Sequence, residues 1–192
     1  MFDPTIFDNL KVVLEGHLYD LDAEQTIRVI GREDFIDLAS MKRIFSMRIR
    51  RDEGCCQAEI SMTSVLSDFA GERFRLVEPG ERPGAKLTLR LDMPLSHCEH
   101  AAELHRAMAD RWAEEARIRH ERSAEFVPDD GPGLSGGGLL DEKGVYRIHI
   151  EFIRKIDESH IGDMESLLAH LVDSLVDADE AGERKGRARD SE

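Results

Sequence analysis

Apolar and polar residues alternate along most of the first half of the chain, with the period of two that is typical of half-buried strands. The alternation predicts a hairpin over residues 12–29 and a second hairpin over 45–62, separated by a short helical turn at 34–38. A shorter strand is expected at 74–76, and residues 87–93 show the cleanest alternation in the protein. Consecutive hairpins of this kind favour an antiparallel or mixed sheet.

The period becomes helical in the second half of the chain. Ser96 and Glu99 form a capping-box signature, and apolar residues at spacings of three and four predict a long helix over 96–123. A strand over 146–152 precedes a second helix, whose apolar stripe covers 161–175. The sequence therefore predicts an α+β fold in which two long helices pack on one face of a sheet of about five to seven strands.

Residues 1–178 are expected to form a single domain, because compact domains usually contain about 50 to 250 residues. The segment 128–144 is rich in Gly and Pro and predicts a flexible loop. Within it, Gly133 to Gly137 match the GxSxG pattern of hydrolases, but that pattern requires a strand before the serine and a helix after it. Residues 179–192 are polar and predict a disordered tail.

The formal net charge of −14 disfavours binding to nucleic acid or to anionic lipid, because the long-range field repels polyanions. No stretch approaches the ~18 consecutive apolar residues of a membrane span, and the first residues lack the basic and then apolar plan of a signal peptide. A cytoplasmic protein that does not enter the membrane is therefore expected.

Three cysteines, Cys55, Cys56 and Cys98, cannot all pair within the chain, which favours a reducing compartment. Cys55 and Cys56 are expected on opposite faces of a strand, as structural thiols rather than a redox pair. The histidines His97, His100 and His105 lie near the start of the predicted long helix, where they diverge around its axis. We therefore expect neither a metal site nor a cofactor.

Basic side chains fall at the strand positions that are predicted to point away from the core. These outward positions hold nine bases against three acids, which is unexpected in an acidic chain: Lys42, Arg48, Arg50, Arg73, Arg75, Lys86, Arg90, Arg147 and Lys155, against Glu59, Asp92 and Glu151. Residues 156–183 contain no Lys or Arg, so the molecule is expected to be electrically polarised. The candidate binding residues are Lys42, Arg48, Arg50, Arg73, Arg75, Arg90 and Arg147.

Two functions remain open from these observations. One is a non-catalytic interaction or regulatory protein, in which the basic sheet face and the acidic C-terminal helix recognise a second copy, an anionic protein or a phosphorylated ligand. Nucleic acid is the weakest partner, because the outward positions lack the aromatic residues on which bases stack. The other is a small hydrolase or transferase for an anionic substrate, with Arg48, Arg50 and Arg90 holding charge and His149 as acid or base. A face that is merely solvated and balanced by neighbouring acids is the simplest alternative to both.

Overall fold

A computed structural model describes residues 4–75, 82–112, 114–124 and 144–189. These residues form the helices Thr5–Ala23 (α1), Leu66–Phe74 (α2), Ala101–Trp112 (α3) and Met164–Arg189 (α4). The strands are Arg28–Asp37 (β1), Lys42–Arg50 (β2), Gln57–Val65 (β3), Lys86–Pro94 (β4), Ala116–Ala124 (β5) and Gly144–Phe152 (β6). Short 3₁₀ helices, Leu95–His100 and Glu158–Asp163, precede α3 and α4.

The strands of the described residues form one sheet in the order β1-β2-β3-β4-β6-β5, and every neighbouring pair is antiparallel. The predicted α+β fold, with its antiparallel sheet and two long helices, is confirmed. The alternation in β2, β3, β4 and β6 places one side of each strand in the core. Adjacent strands therefore share a buried face, as in Met47 opposite Ile60 and Ile60 opposite Leu89.

Helices α1, α3 and α4 cover this buried face. Helix α1 contributes a stripe of Phe7, Leu10, Leu14 and Leu18, and the stripe of α4 contains Leu168, Leu171 and Leu175. The ring of Trp112 on α3 packs edge-on against Phe152 of β6, and its Nε1 donates to Ser174 Oγ of α4 at 3.0 Å. The helical layer thus consists of three helices that share one core with the sheet.

The predicted first strand over residues 12–18 is wrong, because this segment lies within α1. Leu10, Leu14 and Leu18 fit a period of two and also a helical spacing of four, whereas the buried Phe7, three residues before Leu10, fits only the helical stripe. The helical turn expected at 34–38 is also wrong, since residues to Asp37 belong to β1. Phe74 is the last residue of α2 and not part of a strand.

The predicted helix over 96–123 is only partly correct. A 3₁₀ helix covers its first residues, α3 ends at Trp112, and the chain then returns to the sheet as β5. At the other end, α4 extends to Arg189 and buries Ala178 and Ala181, at and beyond the start of the predicted tail. The predicted loop lies outside the described residues up to 143, and Gly144 begins β6.

Candidate functional site

The sheet has an open face on the side opposite α1, α3 and α4. Its cross-strand rows are charged: Arg48 lies opposite Glu59, Glu59 opposite Arg90, and Arg90 opposite His149. The structure places Lys42, Arg48, Arg50, Arg90 and Arg147 among the outward residues of this face. We call the outward side chains of β1 to β6 the open face.

Arg73 and Arg75 do not belong to the open face. Arg73 is in the last turn of α2 and Arg75 is the C-cap, in a left-handed conformation with φ of 55°. Their assignment to a strand was wrong because the surrounding segment is helical. Lys155 also leaves the face, since its Nζ binds the buried Asp68 Oδ1 at 2.7 Å.

Two arginines in the middle of the open face bridge carboxylates on several strands. Arg90 contacts Glu59 at 3.2 Å and Asp92 at 3.1 Å. Arg147 contacts the same Asp92 and also Glu121, both at 3.2 Å. The ion pairs extend from β3 to β5 and leave the central part of the face close to charge balance.

The two arginines of β2 that lie on the open face, Arg48 and Arg50, are less well compensated. Arg48 has 43% of its side chain exposed, and its contact to Glu33 is 3.9 Å long. Its guanidinium lies over Gly31, where an added Cβ would come within 2.7 Å of Nε. Nε of Arg50 is buried and makes no hydrogen bond to any described residue. Positive charge on the open face is therefore concentrated at β2.

His149, the acid or base of the enzyme alternative, also lies on the open face, opposite Arg90. Its Nε2 is 2.9 Å from Glu121 Oε2, and this hydrogen bond, together with Arg147, lowers the pKa of Glu121. A cleft of about 750 Å³ does occur in the described part of the chain, between β6 and the start of α4. Its lining includes Trp112, His160, Met164 and His170, but neither His149 nor the arginines of the open face. The residues of the enzyme alternative therefore do not line this cleft.

Three more side chains that could carry chemistry lie beside the C-terminal half of α4. We call them the thiol–histidine cluster: Cys55, Cys56 and His97. Sγ of Cys55 and Sγ of Cys56 are 3.8 Å apart, and Nε2 of His97 is 3.7 Å from the first and 3.8 Å from the second. The expectation that a strand would separate the two thiols is wrong, because both precede β3. Of the groups of His, Cys, Asp and Glu in the described residues, this one has the spacing of metal ligands.

Asp179 of α4 supports this cluster. Its Oδ1 accepts a hydrogen bond from the backbone N of Cys56 at 2.9 Å, and its Oδ2 lies 3.4 Å from the guanidinium of Arg51. Burial, Asp179 and Cys55 together raise the pKa of the Cys56 thiol, and burial and the nearby His100 lower the pKa of His97. Both groups are therefore neutral at pH 7 in the absence of an ion.

The other histidines of the predicted group have different partners. His105 Nδ1 is 2.9 Å from His120 Nε2, and His120 Nδ1 is 2.5 Å from the hydroxyl of Tyr146. Burial raises the pKa of Tyr146 to about 12, so the phenol stays protonated. His97 and His105 thus diverge as predicted, but His97 meets cysteines from another part of the chain. No local sequence spacing indicates that encounter.

Comparisons with protein-family models, with curated proteins and with solved structures give no match to this chain. Among the described residues, no helix is long and apolar enough to cross a membrane. The features that bear on function are therefore the open face and the thiol–histidine cluster.

Proposed function

We propose that the protein is a non-catalytic cytoplasmic interaction or regulatory protein that works as a homodimer, with the open faces of two copies packed together. The observation that carries this proposal is the charge arrangement of the open face. It is rich in arginine, it is covered by none of α1, α3 and α4, and its positive and negative side chains alternate. The cytoplasmic location follows the odd cysteine count, which suits a reducing compartment.

The composition of the open face is unlike that of the whole chain. Its strand positions hold nine bases and six acids, so its net charge is +3 where the chain carries −14: Arg28, Lys42, Arg48, Arg50, Lys86, Arg90, Arg117, Arg119 and Arg147, against Glu33, Asp37, Glu59, Asp92, Glu121 and Glu151. Seven of the nine bases are arginine. Arginine is preferred over lysine at interfaces, because its planar guanidinium forms bidentate pairs and is weakly hydrated.

The alternation of charge favours a second copy over a polyanion. A phosphorylated ligand or a nucleic acid brings only negative charge, and it would meet Glu59, Asp92 and Glu121 between the arginines. A surface on which both signs alternate is complementary to itself, since a two-fold axis can set arginines of one copy against carboxylates of the other. The poorly compensated Arg48 and Arg50 then gain partners.

The size of the open face also suits a dimer. Six strands spaced about 4.8 Å apart, with nine residues each rising about 3.4 Å, give a face of roughly 29 by 30 Å. Covering it in both copies would bury roughly 1,700 Å², which matches the standard size of about 1,600 Å² for a stable interface. Some acidic side chains of the helical layer already form ion pairs within the chain, as in the pair of Asp177 with Arg111 at 2.8 Å.

The experiment compares two double charge reversals by analytical ultracentrifugation. Arg48→Glu with Arg50→Glu changes the open face, and Arg73→Glu with Arg75→Glu makes the same change of net charge on α2, away from the face. We expect the native protein and the α2 variant to be dimers and the β2 variant to be a monomer with unchanged circular dichroism. Native association should weaken as salt rises from about 0.05 to 0.5 M, because the pairs are screened. A monomeric native protein, or equal behaviour of the two variants, would contradict the proposal.

A further inference from the structure

The thiol–histidine cluster has the dimensions of a tetrahedral metal site. Zinc lies about 2.3 Å from thiolate sulfur and about 2.0 to 2.1 Å from histidine nitrogen. In a tetrahedron with those bond lengths, the two sulfurs are about 3.8 Å apart and each sulfur is about 3.6 Å from the nitrogen. The observed separations are 3.8 Å between the sulfurs and 3.7 and 3.8 Å from sulfur to Nε2. The three atoms can therefore hold one ion with shifts of only about 0.2 Å.

The chain keeps the space around these atoms small and well defined. His97 is 3% exposed and Cys56 is fully buried, whereas Cys55 is exposed and gives access from solvent. Glycines occupy the two points of closest approach. A Cβ added at Gly182 of α4 would overlap Nε2 of His97, and one added at Gly54 would overlap the carboxylate of Asp179. Nε2 of His97 therefore lies against α4 at a position where the helix has no side chain.

The surrounding charges suit a divalent ion. Two thiolates and one neutral imidazole balance the charge of a divalent cation, and Asp179 is itself paired with Arg51. The backbone hydrogen bond from Cys56 to Asp179 fixes the loop that carries both cysteines. Support of this kind beyond the ligands themselves orients a metal site and raises its affinity.

We propose that Cys55, Cys56 and His97 bind one zinc ion through their two Sγ atoms and Nε2. Thiolate and imidazole together are the donor set that zinc accepts in proteins. The described residues supply three ligands, so the fourth position is open to water or to an exchangeable ligand that approaches past the exposed Cys55. Binding displaces both thiol protons: the ion and two thiols give a zinc dithiolate and two protons. This inference departs from the sequence-based expectation that there is no metal site.

The release of protons gives the site a definite pH dependence. Each thiol must lose its proton to bind the ion, and this competition eases as pH rises. The affinity for zinc should therefore increase with pH between 6 and 8.

The test uses the full chain, reduced with a phosphine and stripped of metal, with Zn²⁺ and Co²⁺ as probes. Cys98 provides the matched control, because it is adjacent to His97 in sequence but is not in the cluster. We compare native protein with Cys55→Ser and Cys98→Ser. Cys55 is exposed, so its replacement by Ser should preserve the fold, which circular dichroism verifies.

We expect one Zn²⁺ per chain in native protein, and with Co²⁺ an intense tetrahedral visible spectrum and a near-ultraviolet thiolate charge-transfer band. Cys98→Ser should behave as native. Loss of one of three ligands in Cys55→Ser should weaken Zn²⁺ binding by on the order of 100-fold and reduce the charge-transfer band. The proposal is overturned if native protein gives no thiolate band with Co²⁺, or if the two serine variants bind equally.

Discussion

Gly182 offers the most direct test of how the thiol–histidine cluster is packed. The perturbation is Gly182→Ala, which adds one methyl group to α4 at the position facing the ring of His97. The new Cβ would overlap Nε2 and crowd Cε1 at 2.6 Å. Gly16 in the middle of α1 is the matched control, because an added Cβ there meets no heavy atom within 4 Å. Both glycines lie inside helices, so both substitutions gain the same helix propensity.

The expected energies of the two variants have opposite signs. Replacing Gly by Ala within a helix stabilises it by about 0.5–1 kcal/mol. Gly16→Ala should therefore raise the melting temperature by about 1–4 °C for a chain of this size. At Gly182 the same gain is opposed by about 1–3 kcal/mol for overpacking, because His97 is buried and its ring is held between α4 and the two cysteines. The free energies of unfolding of the two variants should differ by about 1–3 kcal/mol.

Urea unfolding followed by circular dichroism measures this difference at pH 7. The zinc affinity of Gly182→Ala should fall as well, since the displaced atom is the proposed nitrogen ligand. If Gly182→Ala stabilises the protein as much as Gly16→Ala, then His97 does not pack against α4. In that case the geometry of the cluster described above is incorrect.

Two further predictions concern charged groups away from both sites. Lys155→Met removes the partner of the buried Asp68 and should cost about 1–3 kcal/mol in urea unfolding. A variant as stable as the native protein would contradict the assigned pair. Burial alone would raise the pKa of Asp34, but its hydrogen bond to Lys11 at 2.6 Å and the charge of Arg43 lower it overall. The stability from Asp34 is therefore present above the unfolded pKa of about 3.9 and is lost as pH falls through the lower folded pKa. Asp34→Asn should lose less stability than the native protein between pH 5 and 2, and a parallel pH profile would refute this.

The central strands could be predicted from sequence because each has one buried and one open face. In β3, the residues Ala58, Ile60 and Met62 are buried, and their neighbours Glu59 and Ser61 are not. A half-covered antiparallel sheet produces this alternation directly. The same alternation set Arg48, Arg50, Arg90 and Arg147 apart from the core. The side of the strand to which each of these residues points depends only on the alternation along that strand, which can be seen in the local sequence.

Helix and strand were wrongly assigned where the apolar residues fit both a helical period and a strand period, or where a helix is followed directly by a strand. In β5, Ala116 continues the apolar stripe of α3 beyond Trp112, and the change to a strand is visible only in Arg117 and Arg119 pointing away from Ile118. The alternation there is weak because β5 is an edge strand with few buried residues. Arg73 and Arg75 were placed on the open face for the same reason, since two arginines spaced by two fit a strand and also the end of a helix.

The thiol–histidine cluster could not have been predicted, because its members meet only through tertiary structure. Cys55 and Cys56 precede β3, His97 follows β4, and Asp179 lies near the end of α4. The antiparallel pairing of β3 with β4 sets Gln57 opposite Asp92, which brings the start of one strand next to the end of the other. The 3₁₀ helix after β4 then turns His97 toward α4, and Gly182 lets it approach. Each residue alone has an ordinary structural role. The cysteines and His97 meet at the distances of metal ligands only because β3 and β4 pair in this register and α4 packs against them.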